Sequence, residues 1–268
     1  MNIFCLKEEP KADRSSWEDE KIESYSSKIT EHPGYHDYLS LPSKILILED
    51  KPELNILHSL IDKSKTTKPM LSISFSLSPF ISKMSSCIVD FDVDFLPQAE
   101  GSNIIIVKES YHKKMNRMTR FSISSAASDA ILSKFPELSP KQFLLVSSIP
   151  ANLVLSKKPV IPQTYLYLHK SPLSEEEHLL IGKKIKSPPP YIIRNGFCAA
   201  IFERISFVRP QDQCIFLLFV SPVSSTVSQE SMKLLLKVPI IHDCVGHGNL
   251  KRRVAKILSL QFTHDVFM

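Results

Sequence analysis

The chain has 268 residues, 43% hydrophobic, 23% charged and 9% aromatic, which fits one large globular domain or two modest ones and excludes a fibrous or wholly disordered protein. Six glycines against nineteen prolines disfavour folds built on glycine-rich nucleotide loops. The formal charge of +5 is unevenly spread: residues 1–40 carry nine acidic and five basic groups, which leaves a basic body behind an acidic arm.

Residues 8–40 are polar, charged and rich in serine, a composition that buries too little apolar area to offset ordering entropy, so the arm is expected to be disordered. The folded part begins near Lys44. Ile45–Leu48 is a short apolar run ended by Glu49 and Asp50, and Pro52 then opens a helical spacing through Leu54, Leu57, Leu60 and Ile61. Two stretches alternate with period two and read as half-buried strands. In the first, Leu71, Ile73, Phe75 and Leu77 alternate with serines; in the second, Val89, Phe91, Val93 and Phe95 alternate with Asp90, Asp92 and Asp94. Asn103–Val107 and Phe121–Ser124 read as further strands joined by a basic connection, and Ala126–Phe135 as a short helix stopped by Pro136.

Phe143–Ile149 and Thr164–Leu168 are rich in β-favouring residues and flanked by prolines. Ser174 with Glu177 in front of Leu179–Ile181 forms a capping box for a helix that ends at Pro188–Pro190. Strands are predicted in Phe197–Val208, Cys214–Val220 and Met232–Ile241, and a closing helix over Leu250–Phe262. Connections between consecutive strands read as mostly too short for helical crossovers, so the pattern predicts an α+β fold, strand-dominated, with largely antiparallel sheets in two lobes and about four short helices. The implied divisions are a disordered acidic arm at 1–40, a strand-rich lobe with two helices at 41–172, and a second strand-rich lobe with the closing helix at 173–268.

Five cysteines (Cys5, Cys87, Cys198, Cys214, Cys244) are odd in number, widely spaced and free of CxxC pairs, so neither a disulfide framework nor a zinc ribbon is predicted and a reducing compartment is. Lys7, Glu8 and Glu9 interrupt the apolar start, which predicts no secretory signal. The longest clean apolar run, Cys214–Val220, is far shorter than the roughly 18 residues of a spanning helix. The expected location is therefore intracellular, with any membrane contact peripheral.

Asp90, Asp92 and Asp94 share one strand face and have the chemistry of a hard-cation site, but alternation with phenylalanine and valine already accounts for them as a solvent-facing strand. No metal and no cofactor is assigned. His242, Asp243, Cys244 and His247 gather nucleophile-capable and metal-capable groups in a few residues, without the spacing of a known zinc site. The same place reads as strand, glycine turn and helix, with Lys251, Arg252 and Arg253 in the first turn, where backbone N–H groups and cationic side chains would hold a phosphate. A second basic stretch, with Lys113, Lys114, Arg117 and Arg120 beside Tyr111, has the charge for backbone phosphates or for a solvated loop. Pro188, Pro189, Pro190 and Tyr191 spell PPxY, which fits either a WW-domain ligand or a rigid spacer.

The polar arm, strand-rich two-lobed body, basic patches and Pro188–Tyr191 motif together resemble the matrix proteins of negative-strand RNA viruses, rhabdoviruses in particular. The motif is similar to the late-domain element that recruits host ubiquitin ligases. This resemblance implies a non-enzymatic structural protein of the virion and of host cytoplasm or nucleus. Its implied partners are further copies of itself as a homo-oligomer, an anionic lipid surface, a nucleocapsid or single-stranded nucleic acid, and a WW-domain host protein. The order of strands from Cys87–Phe95 through Thr164–Leu168 also resembles the β-core of plant-virus movement proteins of the 30K superfamily, which implies binding to single-stranded nucleic acid. A third reading is a cytosolic hydrolase that uses Cys244 with His242 or His247.

Overall fold

A computed structural model of the chain describes residues 25–33, 44–51, 67–77, 87–98, 102–111, 117–135, 141–150, 163–170 and 196–221, together with Leu54, Leu57, His58, Ile61, Val238 and Ile241. Eight strands form one sheet: β1 (Tyr25–Glu31), β2 (Lys44–Glu49), β3 (Lys68–Leu77), β4 (Cys87–Pro97), β5 (Ser102–Tyr111), β6 (Gln142–Pro150), β7 (Gln163–His169) and β8 (Gln213–Ser221). Two helices accompany them among the described residues, α1 (Arg117–Leu132) and α2 (Phe197–Val208). The spatial order is β1-β3-β4-β5-β2-β6-β8-β7.

The sheet is divided in character. From β1 through β3 and β4 to β5 each pair is antiparallel, whereas β5, β2, β6 and β8 are mutually parallel and β7 closes that end antiparallel to β8. In the antiparallel half one face is buried. Leu71, Ile73 and Phe75 of β3 and Val89, Phe91 and Val93 of β4 enter the core, while Ser72 bonds Asp92 at 3.0 Å and Lys108 bonds Asp94 at 2.8 Å across the outer face. In the parallel half both faces are buried, the usual condition of parallel sheets. Ile45, Ile47, Phe143, Leu145, Phe216 and Leu218 pack in the main core with Ile123, Ala127 and Ile131 of α1 and Ile201 and Ile205 of α2. Their alternating neighbours Leu46, Leu48, Leu144, Val146 and Leu217 are equally inaccessible. Continuous apolar runs rather than alternation are the sequence trace of this arrangement.

Five expectations are corrected. The sheet is mixed, not largely antiparallel, because β5 and β6 lie parallel on either side of β2 and are joined through α1, a crossover that a parallel pair requires. Phe121–Ser124 is helix rather than strand: Ile123, Ala127 and Ile131 recur at a spacing of four and place one side of α1 on the sheet. Phe197–Val208 is likewise helix, with Phe197, Cys198, Ile201 and Ile205 on its buried side. Within the arm expected to be disordered, Tyr25–Glu31 is a strand, since an edge strand can draw its order from backbone bonding to β3 with little burial of its own. Two helices, not about four, are present among the described residues. The strand-dominated α+β class itself holds. β8, from the 173–268 segment, lies between β6 and β7 in the same sheet. The predicted helices at Ser174–Ile181 and Leu250–Phe262 lie outside the described residues, as does most of Met232–Ile241, of which Val238 and Ile241 are described and buried.

Candidate functional site

In sheets with parallel strands, ligands enter at the carboxyl ends of those strands, near points where the strand order reverses. β2 is such a point here, flanked by β5 and β6, both later in the chain. Its carboxyl end carries Glu49, whose side chain is almost wholly buried. One carboxylate oxygen accepts the backbone N–H of Cys198 at 2.7 Å, in the first turn of α2. The other accepts the Ser147 hydroxyl of β6 at 2.8 Å and pairs with the Lys51 ammonium. Lys51 also donates to Ser147 Oγ at 3.2 Å and to the Ser148 carbonyl at 2.8 Å. An ammonium has three N–H donors, and these three partners account for all of them.

Gly196 makes the approach possible. It sits at the N-cap of α2 with φ 92° and ψ 171°, a region essentially restricted to glycine. A Cβ there would lie 3.2 Å from a Glu49 carboxylate oxygen. The N-terminus of a helix attracts anions through its free N–H groups and dipole, and in this protein the chain's own carboxylate fills that position. Burial alone would raise the Glu49 carboxyl, but Lys51, the Cys198 N–H and the Ser147 hydroxyl outweigh it and hold the group below the usual carboxylate range.

Neighbouring groups complete the site. Burial, reinforced by the Glu49 charge, pushes the Cys198 thiol well above its ordinary range, and its sulfur lies 3.6 Å from the Val146 carbonyl oxygen. A thiol so placed stays protonated and is a poor nucleophile. His58 Nε2 lies 3.4 Å from the Glu49 carbonyl oxygen and 3.7 Å from an Asp50 carboxylate oxygen. The chemistry available is internal charge neutralisation: one anion, one cation and their hydrogen-bond partners, mutually satisfied.

A second buried polar cluster lies at the opposite end of the parallel strands. Asp212 accepts Arg209 Nε at 2.5 Å and the Lys141 N–H at 2.9 Å. Arg209 Nη1 reaches the Leu132 and Phe135 carbonyls at 3.4 and 2.9 Å, so its charge meets the carboxyl end of α1, where the helix dipole favours a cation. This cluster ties the ends of both helices to the starts of β6 and β8.

The sequence-predicted residues fall elsewhere. Arg120 lies in α1 and binds the Glu109 carboxylate through Nε at 3.1 Å and Nη2 at 2.9 Å, so this guanidinium already holds an anion of β5. Arg117 opens α1. Lys113, Lys114, Lys251, Arg252, Arg253, Pro188, Pro189 and Tyr191 lie outside the described residues, as do His242, Cys244 and His247. Asp90, Asp92 and Asp94 do share the outer face of β4, and among the described residues no group of three or more His, Cys, Asp or Glu side chains is placed to hold a metal ion. Among the same residues no helix is long and apolar enough to cross a membrane. Glu49 and Lys51 escaped sequence reasoning. Their signal was a charged residue abutting an apolar run long enough to be a two-sided buried strand.

No protein-family model matches the chain, and no curated protein matches it. Solved structures do. The archaeal proteasome activator PbaB of Pyrococcus furiosus is 12% identical, with a TM-score of 0.48, over 91% of this chain and 100% of that one. PbaA of the same organism, described as an archaeal homologue of a proteasome-assembly chaperone, is 12% identical with a TM-score of 0.45 over 90% and 97% of the two chains. A PAC2 family protein from Streptomyces avermitilis is 10% identical with a TM-score of 0.44 over 84% and 95%. A likeness this distant transfers no property from those proteins to this one.

The viral readings are corrected. The matrix-protein resemblance rested on the polar arm, a strand-rich two-lobed body, basic patches and the Pro188–Tyr191 motif; the body proves to hold a sheet that is half parallel with a helical crossover, and none of the solved structures named above is described as a viral matrix protein. The movement-protein resemblance counted Phe121–Ser124 as a core strand, and that segment is helix. Of the solved structures named above, one is described as a proteasome activator, one as a homologue of a proteasome-assembly chaperone and one as a PAC2 family protein. Nothing among the described residues supports anionic lipid, a nucleocapsid, single-stranded nucleic acid or a WW-domain protein as partners, or a virion as the location. The hydrolase reading is unsupported as well.

Proposed function

We propose that this protein is a non-catalytic assembly factor that works by holding protein partners. The observation that carries this reading is the self-filled state of the crevice at the carboxyl ends of β2 and β6. Where a parallel sheet would take a ligand, Glu49 occupies the helix N-terminus, Lys51 has all three donors engaged, and Cys198 is held as a buried thiol. A crevice closed in this way favours a role for the surface over a role for the interior. At the far end of α2, Phe207 is 82% exposed and Val208 beside it is 54% exposed, side chains of the kind that protein interfaces bury.

The proteasome-related roles given for the similar structures supply the partner class to try first, and self-association is the second arm. Full-length protein would be run alone and with proteasome subunits on a size-exclusion column with light-scattering detection. The expected result is a complex of defined stoichiometry, homomeric or mixed, that Phe207→Asp weakens. Migration as a monomer under both conditions overturns the reading, and so does substrate turnover that is abolished by Lys51→Met.

A further inference from the structure

β1 differs from the other strands in how it is held. It is at the end of the sheet, with β3 as its neighbour, and only Tyr25 of its seven residues is partly buried, Ile29 remaining 48% exposed. By contrast, every residue of β2 after Lys44 is buried. The Tyr25 ring meets Phe75 edge-on with centroids 5.5 Å apart. Beyond its backbone bonds, β1 has contacts with the second turn of α1 and with the residues just past its end. Tyr25 Oη lies 3.2 Å from Ser122 Oγ, and Glu31 pairs with Lys134 just past the last helical turn. One tie is a partly buried hydroxyl contact and the other a solvent-accessible ion pair, both of the weak kind. Lys28, in the middle of the strand, is exposed, and a charged side chain on a terminal strand is a common guard against pairing with another chain.

Beneath the strand, Leu71, Ile73, Phe75 and Leu77 of β3 belong to the main core together with β4 and the helices, and nine register pairs join β3 to β4. Losing β1 would remove few apolar contacts and leave that core standing.

We propose that β1 is a detachable strap, which opens by itself while the remaining seven strands stay paired, and thereby uncovers the Phe75 ring and the outer backbone edge of β3. Segments with little burial and exposed ties open at low free energy, whereas central strands exchange only on global unfolding.

Hydrogen–deuterium exchange on the full chain at neutral pH tests this. Amides of residues 26–31 are expected to exchange about a hundredfold faster than those of β2 and β6. The double variant Ser122→Ala, Lys134→Ala removes these two contacts without changing any residue of β1, and should speed exchange in β1 about fivefold or more while β2 and β6 stay within about twofold. Should the double variant not fold, Ser122→Ala alone gives the same comparison. Protection of β1 equal to that of β2, or a variant that accelerates β1 and β6 together, overturns the proposal.

Discussion

The Glu49 carboxylate and the Cys198 backbone N–H, 149 positions apart in the chain, meet at 2.7 Å. This bond joins the end of β2 to the start of α2, and the Lys51 and Ser147 contacts extend it to β6. Replacing Glu49 by Gln keeps the volume but removes the charge that Lys51 neutralises. The expected loss is about 2–3 kcal/mol, below the roughly 3–5 of a fully buried pair because Lys51 reaches solvent. Urea denaturation measures it, and a loss under about 0.5 kcal/mol would show the pair to be incidental.

The same carboxylate sets an acid limit. Its folded-state pKa is lowered, so its stabilisation is complete above the unfolded value, close to the ordinary 4.5, and is lost as pH falls through the folded value. The gap in urea midpoint between the native chain and Glu49→Gln should be constant from pH 7 to 6 and narrow below about pH 4.5. A gap that widens on acidification contradicts the assignment.

Gly196→Ala should cost about 2 kcal/mol, because φ 92° with ψ 171° is a conformation that a side chain strains. The added Cβ would also crowd the Glu49 carboxylate at 3.2 Å. Combining the substitution with Glu49→Gln should cost less than the two single losses added, since both act on one contact. Strict additivity in thermal and urea unfolding would separate them.

Asp212 is fully buried and Arg209 nearly so. Asp212→Asn should destabilise by about 3–5 kcal/mol, since it leaves the guanidinium buried without its counter-ion. Arg209→Met together with Asp212→Asn should cost less than the sum, although the Leu132 and Phe135 carbonyls still lose a donor. A double-mutant cycle provides the coupling energy.

Cys198 and Cys214 are both buried, and burial raises both thiols well above their ordinary range. Iodoacetamide at neutral pH, followed by mass mapping, should leave both unlabelled until denaturant unfolds the chain. Labelling of Cys198 faster than global unfolding would contradict its assignment as a buried, protonated thiol.

The outcome for each element follows from how its surroundings act on it. β3 and β4 were legible because one face meets water, which imprints strict alternation of apolar residues with serine or aspartate. β2, β6 and β8 appeared as apolar runs, which mark burial on two faces but say nothing of direction. Phe121–Ser124 alternates over four residues and so mimics a strand. Only the packing of Ile123, Ala127 and Ile131 on the sheet reveals helix. Reading that segment as a strand placed an extra strand between β5 and β6 and cut the crossover helix to Ala126–Phe135, which hid the parallel half of the sheet. In Phe197–Val208 the apolar content is dense on every side, so neither period stands out until Gly196 and Glu49 fix the helix start.

By itself, then, the amino-acid order determined where the apolar segments lie, which of them face water on one side, and that strands outnumber helices, since these depend on residue types within a few positions of one another. Strand direction, the pairing of β2 with both β5 and β6, and the closure of the crevice by Glu49 were decided only by tertiary structure. Each depends on groups separated by tens of residues or more, whose encounter is set by the packing of the whole sheet and leaves no local periodicity.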